Sequence, residues 1–87
     1  MSVIDNFIAG IQRMDDSFIR DNIYMVDRTL LAKAIKTIDP QYQDKILRNM
    51  TGEGAEGVRQ LMADQNISAE NSEAAQREIL SMAQGYF

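Results

Sequence analysis

A chain of 87 residues suits one small domain, and its 45% hydrophobic and 25% charged content is ordinary globular usage, unlike a disordered or fibrous sequence. Such a chain buries roughly 60% of its unfolded surface and has a stability on the order of 5 kcal/mol. A net charge of -4 opposes nucleic acid and anionic lipid as partners, and the absence of Cys and His removes thiol nucleophiles, imidazole bases, disulfides and the usual zinc ligand sets.

The chain opens with Met1-Ser2-Val3-Ile4-Asp5, without the basic start and apolar core of a secretion signal, and no later run approaches the ~20 apolar residues of a membrane span. The expectation is a cytoplasmic protein with no direct membrane insertion. Val3, Ile4, Phe7, Ile8, Ile11 and Met14 recur at helical spacing. Ser2 is placed to cap that helix, and Asp5 sits in its first turn near the positive end of the dipole.

Met14-Asp15-Asp16-Ser17 interrupts the pattern, and either aspartate can cap a second helix carrying Phe18, Ile19, Ile23 and Val26. Asp27 then caps a third, whose apolar positions are Leu30, Leu31, Ala34, Ile35 and Ile38. Asp39-Pro40 marks a fourth start, with Pro at the first helical position, where a missing N–H does no harm. Tyr42, Ile46, Leu47 and Met50 form its apolar side, and Gln43, Asp44, Lys45 and Arg48 are expected to face water.

Thr51 caps a fifth helix, weakened near its start by Gly52, Gly54 and Gly57, each costing up to about 1 kcal/mol relative to Ala. Residues 64–67 read as a loop. Ser68 or Asn71 starts a last helix through Ala75, Ile79, Leu80 and Met82, with Gly85 as its stop. No strand-like alternation occurs, so the fold class is all-α, a single compact domain of five to six short helices joined by brief connections.

Asp15 and Asp16 lend themselves both to capping and to a partner contact. Calcium needs six or more oxygens from a loop such as D-x-D-x-D-G, which is missing, so no metal is expected. Glu53, Glu56, Glu70, Glu73 and Glu78 read as a solvated face rather than as acid/base pairs, and Gly52-Glu53-Gly54 lacks the strand and the Lys-Ser/Thr pair of a phosphate loop. No catalytic or cofactor-binding residue emerges, which points away from an enzyme. Met50, Met62 and Met82 stand at core positions. Met25 falls one residue off the stripe, so that Phe18, Tyr24 and Met25 form an exposed contact patch.

Four blocks carry a resemblance to a known family. They are Met14-Asp15-Asp16-Ser17-Phe18-Ile19-Arg20, then Leu31-Ala32-Lys33-Ala34-Ile35-Lys36, then Lys45-Ile46-Leu47-Arg48-Asn49-Met50-Thr51 with Ala55-Glu56, and last Ser72-Glu73-Ala74-Ala75-Gln76-Arg77-Glu78-Ile79. In order and spacing they resemble the patterns L-D-D-R-S-I-Q, L-A-x-A-L-K-G-A, K-I-L-x-N-M-S-x-R-A-A-E and V-E-E-A-Q-x-x-I of the C-terminal, torque-generating domain of FliG. The resemblance spans residues 5–84.

The resemblance implies a six-helix, armadillo-like all-α subdomain at the cytoplasmic face of the flagellar basal body. It implies protein partners: MotA-like stator proteins met by a charged ridge, and FliM-like or FliF-like rotor proteins. The ridge maps onto Arg13, Asp15, Asp16 and Arg20, beside the patch of Phe18, Tyr24 and Met25. Two arginines of the family ridge are replaced, by Ser17 and Tyr24, which makes it mostly acidic. The family's M-F-x-F hinge falls on Asp5-Asn6-Phe7-Ile8, and its His-bearing E-H-P-Q-R surface has no counterpart. The expectation is one subdomain standing alone, a docking module or a regulatory adaptor that kept the fold without torque.

Overall fold

The computed structural model describes residues 2–82, and these form six α-helices and one 3-10 turn with no strand among the described residues. Helix α1 spans Val3–Arg13, α2 Asp16–Asn22, α3 Arg28–Ile35, α4 Pro40–Leu47, α5 Gly52–Met62 and α6 Ala69–Met82. The expected all-α architecture is what forms. The stop assigned to Gly85 lies outside the described residues.

Most starts follow the sequence signals. Ser2 Oγ accepts from Asp5 N at 3.2 Å, Asp15 from Phe18 N at 2.8 Å, Asp27 from Leu30 N at 3.2 Å and Thr51 from Gly54 N at 3.0 Å. At α6, Ser68 and Asn71 exchange bonds: Asn71 N donates to Ser68 Oγ at 3.0 Å and Ser68 N donates to Asn71 Oδ1 at 3.1 Å, a capping box with Asn in the acidic position. Asp39 differs. It occupies the N-cap of α4, but its side chain makes no cap bond, and its backbone carbonyl receives Tyr42 N and Gln43 N. The glycines do not delay α5, which is helical from Gly52.

The second helix is shorter than its apolar spacing suggests. At Asn22 the side-chain amide donates to Phe18 O at 2.9 Å, a local side chain to backbone bond of the kind that competes with helix continuation. The chain tightens into a 3-10 turn over Ile23–Met25, closed by Val26 N on Ile23 O at 3.1 Å.

Helix α3 is the hub. Leu31, Ala32, Ala34 and Ile35 are all buried, and it packs on both α5 and α6, while α1 packs on α6 and α4. Phe7 and Ile11 from α1, Ile46 and Leu47 from α4, Val58 from α5 and Ile79 from α6 complete the core with Ile19 and Ile38. The segment matched to the family hinge is interior helix, with Phe7 buried.

Helix ends are held largely by side chains from elsewhere. Gln43 Nε2 of α4 donates to Ile35 O at 2.8 Å and Lys36 O at 3.3 Å, and Gln76 Nε2 of α6 donates to Ala34 O at 2.9 Å, closing the C-terminus of α3. Lys45 Nζ reaches Ile11 O in the last turn of α1 at 2.9 Å, and Lys36 Nζ donates to Asp64 O just past α5. These contacts add donors to carbonyls in or near last turns, two of which, Ile11 O and Ile35 O, also accept the backbone N–H of Met14 and of Ile38, and the two ammonium groups sit near the negative ends of helix dipoles. They also correct part of the reading of α4: Gln43 and Lys45 are half-buried ties between helices, whereas Asp44 and Arg48 are exposed as expected, Arg48 with its guanidinium on Asp16.

Candidate functional site

The aspartates at the start of α2 are not free charges. Asp15 caps its helix, and its Oδ1 also accepts from Ser17 Oγ at 2.9 Å. The Phe18 N–H, then the Ser17 hydroxyl, hold the Asp15 carboxyl below its ordinary value of 3.8. Asp16 is clasped by Arg48 of α4, whose Nη2 lies 3.0 Å from Oδ1 and whose Nε lies 3.2 Å from Oδ2, a two-pronged pair. The guanidinium bonds of Arg48 lower the Asp16 carboxyl, and Asp16 in return raises Arg48.

Of the remaining ridge residues, Arg13 ends α1 and is exposed. Arg20 is also exposed and donates through Nη2 to Asn49 Oδ1 at 3.2 Å. Asn49 is itself buried and anchored by Nδ2 on Lys45 O at 2.7 Å. Thus α4 and its C-terminal turn brace two ridge residues from behind, Arg48 holding Asp16 and Asn49 holding Arg20.

The patch residues sit around the 3-10 turn. Tyr24 is 77% exposed and Met25 60% exposed. Phe18 is half-buried rather than displayed. It lines an apolar groove of about 110 Å³ with Met14, Ile23, Met25, Val26 and Met82, floored by core residues of α3, α4 and α6. Met82 is 54% exposed, so it belongs to this rim and not to the core, whereas Met50 and Met62 do pack against the core. On the other side of the turn lies a cleft of about 430 Å³, where Arg20 and Tyr24 meet Arg28, Arg48 and Asn49.

The structure therefore brings together Asp16 and Arg20 over α4, Phe18 and Met25 in the groove, and Arg20 and Tyr24 in the cleft. Arg13 lines neither concavity. Sequence reasoning missed Met14, Arg28 and Arg48. The local spacing of Arg48 puts it on the wet side of α4, and only the docking of α4 against α2 turns it toward Asp16.

No group of three or more His, Cys, Asp or Glu among the described residues is arranged to hold a metal ion, and none of their helices is long and apolar enough to cross a membrane. What the edge offers is a surface: a braced pair of charges, an apolar groove and an arginine-lined cleft.

The sequence profile of the FliG C-terminal domain matches residues 7–86. The flagellar motor switch protein FliG of Vibrio cholerae serotype O1 (strain ATCC 39315 / El Tor Inaba N16961) is 36% identical over 84 residues, covering 95% of this chain and 23% of its own length. This chain thus spans less than a quarter of that relative. No solved structure matches this chain. Fold, order of motifs and sequence similarity coincide over nearly the whole chain, which belongs to the FliG C-terminal domain family.

Proposed function

We propose that this chain is a non-enzymatic docking module of the flagellar rotor and switch, presenting the α2 edge to a protein partner of stator or switch type. The observation that carries the reading is the concentration of uncovered apolar surface at one place. Tyr24, Met25 and Met82 are the large hydrophobic residues exposed among those described, and two of them flank the groove that Phe18 enters. Exposed apolar side chains clustered beside fixed charges are what a protein contact uses.

Capture of purified stator-loop and switch-protein fragments tests the reading. Replacing Tyr24 and Met25 by Ser should reduce capture at least tenfold with an unchanged helical spectrum, and Asp15→Asn, which keeps a cap acceptor but removes a charge, should reduce it less. Capture insensitive to all three changes would count against the α2 edge.

A second reading, a regulatory adaptor that kept the fold without torque, is favoured by the fate of the ridge. Asp15 and Asp16 are both occupied within the chain, and Ser17 and Tyr24 stand where the resembling pattern has arginines. Deleting the gene separates the two: paralysed or missing flagella support a structural motor role, and normal motility supports the adaptor.

A further inference from the structure

The groove and the cleft on either side of the 3-10 turn share Ile23 and Val26 as a common wall. Their chemistry is opposite. No charged residue lines the groove, and no acidic residue among those described lines the cleft, although the chain as a whole carries a net charge of -4. Arg20, Arg28 and Arg48 all border the cleft, a local reversal of sign.

The three guanidinium groups are not equivalent. Arg48 is answered by Asp16. Arg20 is held by a neutral acceptor, Asn49 Oδ1, and keeps its charge uncompensated. Arg28 forms no ion pair among the described residues. Its side chain runs beside the glycines of α5: a Cβ on Gly54 would lie 3.6 Å from Arg28 Nη2, and one on Gly57 would lie 3.7 Å from Nη1 and 4.0 Å from Cδ, ordinary contact distances. Gly54 and Gly57 thus make a low shelf along which the Arg28 side chain runs. Two cations thus stand in the cleft, separated from the apolar groove by the shared wall of Ile23 and Val26.

We propose that the 3-10 turn centres a docking site for an acidic amphipathic segment of a partner protein. A large apolar side chain of that segment enters the groove of Met14, Phe18, Met25 and Met82, and neighbouring carboxylates meet Arg20 and Arg28. The proposal rests on the docking reading above and names the partner's chemistry. Charge complementarity selects the occupant: the unneutralised arginines call for an anion, and the contiguous apolar groove calls for a peptide rather than a free phosphate or a nucleic-acid backbone. Charges beside such a groove act mainly on specificity and association rate, so binding should weaken as salt is raised.

Fluorescence anisotropy of the full chain with a labelled helical peptide, leucines on one face and glutamates beside them, is the test. The glutamate peptide should bind about tenfold more tightly than its glutamine version at low salt, with the difference shrinking as salt is added. Arg28→Gln and Arg20→Gln should each weaken it several-fold, while Arg77→Gln, on the exposed face of α6, should not. Equal binding of the two peptides, no effect of Arg28→Gln, or displacement by single-stranded DNA of matched charge would overturn the proposal. Loss of the glutamate peptide with capture of stator or switch fragments intact overturns this site alone. Peptide binding retained without any such capture supports this site and removes the flagellar assignment.

Discussion

Helices α3 and α2 are similar in length and both carry apolar residues at helical spacing, yet they end in opposite circumstances. Helix α3 has four of its eight residues buried and its last carbonyls bonded from α4 and α6. Helix α2 buries Ile19 alone among its seven, and the turn that follows it buries nothing. Apolar periodicity says that a stripe will be covered, but neighbours decide what covers it. Helix α3 lies between α5 and α6, whereas the α2 edge leaves its groove open, which is why fold and partner contact are carried by different segments.

Substitutions can break or sharpen that contrast. The largest effect should come from Ile35→Ala, the fully buried last residue of α3, a loss of about 3 kcal/mol and a fall in Tm of roughly 10–20 °C by circular dichroism. A fall of only a few degrees would mean that α3 is not the hub. Next, Gln43→Ala removes the side-chain donor from Lys36 O and from Ile35 O, the latter keeping Ile38 N, and should lower stability by about 1 kcal/mol in urea, even though no core contact is lost. Gly57→Ala acts in the other direction. Its new Cβ would make ordinary contact with Arg28, so the gain in helix propensity should raise stability by about 0.5–1 kcal/mol, and a loss would show that the shelf tolerates no side chain.

Smaller effects are expected at the α2 edge. Asp15 and Asp16 have folded-state values lowered from 3.8 by their bonds, so their contribution is fully present above that value and is lost as pH falls through the lower folded one. The urea midpoint of the wild type should therefore drop toward that of Asp16→Asn in acid, with the two differing most at neutral pH. Parallel curves would show that the Arg48 clasp adds nothing to stability, as for many exposed pairs. Least of all, Tyr24→Ser and Met25→Ser should change stability by no more than about 0.5 kcal/mol, and a larger loss would place those side chains in the fold.

Much of the fold was legible in the sequence because helix starts are local signals. Ser2, Asp27, Thr51 and Ser68 each act within four residues of themselves, and the core positions Phe7, Ile11, Leu31, Ile35, Ile46 and Ile79 follow from helical spacing. What the spacing could not give were pairings across the chain. The Asp16 to Arg48 clasp joins residues 32 apart in sequence, and the Lys45 to Ile11 bond joins residues 34 apart. Local exceptions escaped as well: Asn22 shortens α2 through its own amide, and Met82 reads as core by spacing but has nothing among the described residues to cover it fully. Arg28 was invisible because its surroundings come from the absence of side chains on another helix.

The borrowed donors at the helix ends have a consequence for how the domain comes apart. Where a helix stops on its own glycine, it can be sealed before anything else has formed. Here local turn bonds close α1 and α3 only in part, and the remaining donors come from α4 for α1 and from α4 and α6 for α3, so their last turns are fully bonded only once the helices have docked. Fragments cut between helices should be poorly structured, and slow amide exchange near residues 34–36 and near residue 11 should disappear together rather than helix by helix.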